Sequence, residues 1–166
     1  MQSLPTTPSK AHSINDLQWR VLPFASLSLD ALYAVLQLRT EVFVLEQNCV
    51  FQDIDGADPS ALHVLGTGEG AALMAYARLF PAGVKFAEAS IGRVVTRSHV
   101  RGSGIGHVLI QQALVAVAVA WGAQPIRIGA QAHLKNFYQQ HGFVDVGVPY
   151  VEDGIDHLEM LRTVPP

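Results

Sequence analysis

The spacing of apolar positions along this chain changes several times, and each change predicts an element. Gln18-Trp19-Arg20-Val21-Leu22-Pro23-Phe24 is a short β-like run that proline ends. Ser28 and Asp30 then supply a helix start, and Leu29, Leu32, Tyr33, Leu36 and Phe43 recur at helical spacing. This predicts a first helix that reaches about Glu46 or Gln47. Asp53, Asp55, Gly56, Asp58 and Pro59 make a turn-rich loop with room for one helical turn. His63–Gly66 and Ala72–Phe80 read as paired strands around a Gly68-Glu69-Gly70 turn, and the run from Val84 to Thr96 contains a further strand.

A glycine-rich loop, Arg101-Gly102-Ser103-Gly104-Ile105-Gly106, comes next and opens a long apolar helix pattern from about Gly104 to Trp121. Ile105, Val108, Leu109, Val115 and Val119 are expected on its buried face, and Gly122 is placed to stop it. Ile126–Ala130 reads as a short buried strand, and a helix runs from about Ala132 to His141, closed by Gly142. Phe143–Val148 and His157–Leu161 finish the chain as strands. The order β-α-β-β-β-α-β-α-β-β predicts an α/β (α+β) fold, a mixed and largely antiparallel sheet of roughly six to seven strands flanked by helices. The helix from Gly104 is a crossover, so the strands on either side of it are expected to be parallel.

Composition narrows the classes. A length of 166 residues suits one domain, expected over 17–166 after a polar, Pro/Ser/Thr-rich tail over 1–16. Apolar residues are 49% and charged residues only 15%, so the bulk of the chain is expected to pack rather than stay disordered. A net charge of −3 with no basic block argues against a nucleic-acid surface. The single cysteine, Cys49, excludes an intramolecular disulfide and any multi-cysteine zinc site, and fits a reducing compartment. No apolar run is long enough to span a bilayer, and the N-terminus lacks the order of a signal peptide. A cytoplasmic protein with no membrane partner is the expectation.

The glycine loop carries the chemistry. Glycines let backbone N–H groups converge, and the start of the following helix adds unpaired donors and a positive dipole end. That combination suits a pyrophosphate, with Arg101 adding charge. The same glycines also suit a plain strand-to-helix turn. A dinucleotide fold of Rossmann type fits less well, because the G-x-G-x-x-G spacing is missing and β-hairpins precede the loop. Asp53-Ile54-Asp55-Gly56 lacks calcium-loop spacing, and the histidines lack metal-ligand pairing, so no metal is expected.

Arg101-x-x-Gly104-x-Gly106 between a strand and a helix resembles the acyl-coenzyme A motif Q/R-x-x-G-x-G/A of the GNAT family of N-acetyltransferases. Phe137-Tyr138-Gln139-Gln140-His141-Gly142-Phe143 is similar to that family's F/L-Y-x-x-x-G-F signature. Leu38–Cys49, Gln52–Gly56, Ile128–Leu134 and Glu152–His157 resemble the ElaA-like branch, so the resemblance spans roughly Leu17 to Arg162. It implies acetyl-CoA as co-substrate and direct attack by a primary amine, carried by a small molecule or a peptide. Backbone groups from Arg101, Gly102, Ser103, Gly104, Ile105 and Gly106 would then cap the pyrophosphate. Val94, Val95 and Thr96 would lie along the pantetheine arm as along an added strand, with an N–H near Val94 set to polarise the carbonyl. Tyr138 aligns with the tyrosine that protonates the leaving thiolate.

Where many members have Asn seven positions before the tyrosine, this chain has Gln131, which is expected with Asn136 beside the coenzyme. Arg39, Glu41, Glu46 and His157 are expected substrate contacts, with salt-bridge partners as the alternative for the first three. The proton acceptor stays open among Glu46, Glu41, His63, His133, His157 and a water. The acidic residues Glu41, Glu46, Asp53, Asp55 and Asp58 would either attract a cationic amine or form a solvated loop and helix end. A non-catalytic acyl-CoA-binding regulatory module is the competing reading, and open sheet edges leave room for a homodimer.

Overall fold

Residues 17–164 are described by the computed structural model, so the tail expected over 1–16 lies outside the described residues. Strand β1 (Gln18–Pro23) is followed by helix α1 (Leu29–Arg39), capped as expected: the Ser28 hydroxyl accepts the Ala31 N–H at 3.1 Å. Asp30 in the first turn and Arg39 in the last match the helix dipole. The chain then widens into a π-helical stretch, Thr40–Glu46, in which Gln47 N donates to Val42 O at 3.1 Å and Cys49 N to Val44 O at 3.0 Å.

The buried face of this segment is Val35, Leu38, Arg39 and Val42, not the predicted stripe, and Leu29 is 86% exposed with Tyr33 also in solvent. From Leu29 to Leu38 only Asp30 and Gln37 are distinctly polar, so the spacing alone leaves the inward face undetermined.

Strands β2 (Leu62–Thr67), β3 (Leu73–Phe80) and β4 (Ala89–Thr96) form the antiparallel meander that the turn residues predict. Helix α2 (Ile105–Trp121) crosses over to β5 (Ile126–Gln131), the short helix α3 (Lys135–Gln139) follows, and β6 (Val144–Glu152) and β7 (Ile155–Arg162) close the chain. All seven strands join one sheet in the order β1-β2-β3-β4-β5-β7-β6, antiparallel except for the expected parallel pair β4–β5. Strand β6 runs past its predicted end because Asp153 and Gly154, both at positive φ, make a two-residue hairpin turn into β7.

The helices cover both faces. Ile105, Leu109, Ile110, Ala113 and Val117 of α2, with Tyr138 and Phe143, pack against Ala75, Ala77, Leu79, Ile91, Ile128 and Met160. Val35, Leu38 and Val42 pack on the opposite face against Leu65, Tyr76 and Val95. Ile105 and Leu109 face the core as expected, but Val119 is 82% exposed and Val115 is exposed too. The small side chains of Ala113 and Ala116 complete the inner face in their place. Among the described residues no helix is long and apolar enough to cross a membrane.

Strands β4 and β5 hold each other only at their start, through Ala89–Ile126 and Ser90–Arg127. Between Tyr76–Val95 and Arg78–Gly92, the lone Ala77 of β3 faces both Arg93 and Val94, a bulge with Arg93 at φ 50°. The parallel pair has already come apart after Ser90, ahead of that bulge.

Candidate active site

The opening between β4 and β5 holds a cavity of about 1100 Å³. Val94, Val95 and Thr96 line it along β4, and Arg101, Gly102, Gly104 and Gly106 line it where the chain turns into α2. Gly104 takes φ 90° as the residue ahead of the helix, and among the described residues no side chain caps the first turn of α2. Its leading N–H groups are therefore left for a ligand, with the positive end of a 17-residue helix behind them. Ser103 does not line the cavity; its hydroxyl turns back to Val100 O at 2.6 Å. Ile105 sends its side chain into the core, so only its backbone belongs to the loop.

Arg101 reaches across the mouth to Glu46 at the end of the π-helical stretch, with contacts of 2.5 and 3.0 Å. The guanidinium holds the Glu46 carboxyl below the usual carboxylate range. A planar anion thus already occupies the fork expected to meet phosphate. Gln131 lines the cavity at the end of β5 and forms a reciprocal amide pair with Gln47, at 3.1 and 3.4 Å. Asn136, expected beside the coenzyme, is exposed on α3 and does not line the cavity, where Phe137 and Tyr138 take the inward positions of that short helix.

Tyr138 lines the cavity from the α2 face, held edge-on between Phe137 and Phe143 at ring distances of 5.1 and 5.9 Å. Its hydroxyl has no hydrogen-bond partner among the described residues. Burial raises its pKa above the ordinary phenol value, so the group stays protonated. Protonated and unspent at the cavity wall, this O–H is free to donate to a ligand.

The candidate bases separate clearly. His63 is wholly buried, between the Tyr76 hydroxyl at 2.7 Å and Asp58 O at 3.0 Å, and does not reach the cavity. Glu41 takes Arg97 and Gln37, each at 2.9 Å, outside the cavity. Glu46 is paired with Arg101, which leaves His133 and His157 as the cavity-lining candidates from the original set.

Arg39, expected at the substrate, is 0% exposed: its guanidinium meets Asp53 and Asp58 at 2.8 Å and Asp53 O at 2.9 Å. Arg78 joins the same cluster through Asp55 and Asp58, and Arg93 through Asp53. Asp53 and Asp58 are therefore neither a solvated loop nor a lure for an amine, but buried partners of guanidinium groups. Spacing alone showed the charges without their burial.

Tyr150 was not anticipated. Its ring stacks on His157 at 5.3 Å, and its hydroxyl lies where a Cβ on Gly129 would have to sit. The signal was the glycine inside a buried strand, a mark of close approach by another group. Among the described residues no group of three or more His, Cys, Asp or Glu is arranged to hold a metal ion.

A sheet whose parallel pair parts around a cleft, with a glycine-led helix at one lip and an unpaired phenol at the other, defines an acyltransferase-type site. The model of the acetyltransferase (GNAT) domain matches residues 57–164, and the chain belongs to the GNAT acetyltransferase family. Protein ElaA of Escherichia coli K12 is 43% identical over 150 residues, 89% of this chain and 97% of ElaA, which sets the chain in the ElaA-like branch. The crystal structure of Escherichia coli ElaA superimposes with TM-score 0.81 at 42% identity, over 88% of this chain and 99% of that one. An acyl-CoA N-acyltransferase from Pseudomonas aeruginosa matches with TM-score 0.83 at 44% identity, over 89% and 99% of the two chains. An aminoglycoside 6'-N-acetyltransferase complexed with coenzyme A shares the fold at 17% identity, with TM-score 0.68 over 89% and 98%.

Proposed function

We propose that this chain is an acetyl-CoA-dependent N-acetyltransferase in which a primary amine attacks the acetyl carbonyl directly. The observation that carries this reading is the Tyr138 hydroxyl, the unpaired tip of a buried ring on a cavity that runs from the glycine-led start of α2 to the separated ends of β4 and β5. Arg101 and the backbone from Gly102 to Gly106 would hold the pyrophosphate, and Val94 to Thr96 the pantetheine arm. That the distant aminoglycoside acetyltransferase takes coenzyme A on this fold supports the same choice of ligand. Bound there, acetyl-CoA supplies an activated acyl group as a substrate. The chain itself orients that group, polarises its carbonyl from the β4 bulge and donates the Tyr138 proton to sulfur as the C–S bond breaks. The buried free Cys49 fits a cytoplasmic setting.

The test is Tyr138→Phe, assayed by thiol release with acetyl-CoA and a panel of primary amines. The expected result is a fall in kcat of about 10²–10⁴-fold with acetyl-CoA affinity retained. An unchanged kcat would remove the role of Tyr138. Tight acetyl-CoA binding with no amine turned over by the native chain would favour the regulatory-module reading.

A further inference from the structure

The two faces of the sheet divide the reaction. Ala130 and Leu158 are register partners on the face packed with Tyr138. The next pair, Gln131 and His157, therefore projects to the other face, where Gln131 meets Gln47 beyond α1. His157 and Tyr138 look into one cavity from opposite sides of the sheet, and the gap between β4 and β5 joins those sides.

His157 is also fixed in orientation. Its Nδ1 lies 2.8 Å from Ile155 O, and a carbonyl only accepts, so Nδ1 carries the proton and Nε2 keeps its lone pair. Its ring stacks on Tyr150, the register partner on β6, and Glu152 Oε2 lies 3.9 Å from Nε2. The titratable groups set against it are thus the Tyr150 phenol and the Glu152 carboxylate, while its β5 partner is the neutral amide Gln131. The other imidazoles on the cavity differ: His107 is engaged with His141 at 2.9 Å, and His133 is held by no hydrogen bond among the described residues.

The charge on this face points to the acceptor. Of the carboxylates lining the cavity, Glu46 is taken by Arg101, and Asp55 by Arg78 at 2.7 Å and Lys85 at 3.4 Å. Among the described residues Glu152, 59% exposed, has no cationic partner other than His157 once it is protonated, and Asp153 has none. Beside them the walls are Phe43, Phe51 and Tyr150.

We propose that His157 Nε2 is the general base of the reaction, and that the acceptor is a primary ammonium on an apolar or aromatic body, drawn in by Glu152. This rests on the N-acetyltransferase reading above. The ammonium gives its first proton through Nε2 to water. The nitrogen lone pair then forms the C–N bond to the acetyl carbonyl carbon, and a second N–H proton passes to Nε2. The C–S bond breaks with its electron pair on sulfur, which takes the Tyr138 proton. The imidazolium releases its proton to solvent and the phenol regains one, leaving amide, thiol and one proton released per ammonium consumed.

The experiment uses acetyl-CoA with 2-phenylethylamine, phenylalanine and spermidine as acceptors, and His157→Asn, His157→Gln and His157→Ala as variants. Acetyl-CoA binding by each variant serves as the folding control. Expected are native preference for 2-phenylethylamine over phenylalanine, whose extra carboxylate faces Glu152, and over spermidine, which lacks an apolar body. Loss of kcat is expected to be about 10²–10³-fold in His157→Asn and His157→Gln, with KM near native and partial rescue of His157→Ala by added imidazole. Native rates in both amide variants overturn the base while leaving the transferase reading standing. Phenylalanine or spermidine used as well as 2-phenylethylamine overturns the acceptor class. A native chain that binds acetyl-CoA but acetylates none of the three overturns this proposal. The broader amine panel used with Tyr138→Phe then decides the transferase reading separately.

Discussion

Arg39 has given up every contact with water, and three short hydrogen bonds to Asp53 and Asp58 replace that hydration. Burial alone would lower its pKa, but the two aspartates outweigh burial and raise it. Removing one partner from such a pair strands the other charge, which costs about 3–5 kcal/mol. Arg39→Met is therefore expected to lose that much stability in urea unfolding, although the residue does not line the cavity. The pH dependence follows from the same cluster. Arg78 holds Asp55 well below the usual carboxylate range, and for Asp58 burial is outweighed by hydrogen bonds from Arg78 and Arg39. Both groups stabilise the fold above about pH 4, the unfolded value, and that contribution is lost as pH falls through their lower folded values. Burial also lowers His63 and His141, so each is neutral in the fold where the unfolded imidazole already takes a proton. Their contribution is present above about pH 6.5 and declines as pH drops below it. Calorimetry across pH should show Tm falling in two stages, with His63→Gln shrinking the first. None of this burial was legible in the sequence, where Arg39 and the aspartates read as charges on a helix and a loop. The place of Tyr138 on the cavity was legible because a motif surrounds it.

Between residues and fold, the elements differ in how plainly they could be read. Ser28 as a helix cap and the Asp-and-Pro turn at Asp58–Ser60 follow from side-chain chemistry alone. The faces of α1 and α2 do not, because both helices are apolar on nearly every side and only the sheet beneath chooses among the stripes. The π-helical stretch was invisible for a related reason: one extra residue per turn leaves composition unchanged while placing Glu46 toward Arg101 and Gln47 toward Gln131. The glycine loop is the opposite case, since Gly104 at φ 90° needs the residue the sequence supplies. Gly104→Ala is expected to cost about 1–2 kcal/mol of left-handed strain. A lower Tm, together with weaker acetyl-CoA binding in a titration, would show that the same turn shapes the ligand site.

For the whole molecule, turn spacing and one crossover helix were enough to predict a mixed sheet with a single parallel pair. The insertion of β7 between β5 and β6 was not predicted, because hairpin order is set by packing rather than by local pattern. That insertion places His157 next to the end of β5. The two halves of the sheet, β1 to β4 and β5 to β6, share only the Ala89–Ile126 and Ser90–Arg127 rungs. So thin a seam leaves both strand edges open beyond those rungs, and an extended ligand lying along both would stitch it shut. Amide exchange at Val94–Thr96 and Gly129–Gln131 should slow together when acetyl-CoA is added, although those segments are not paired with each other.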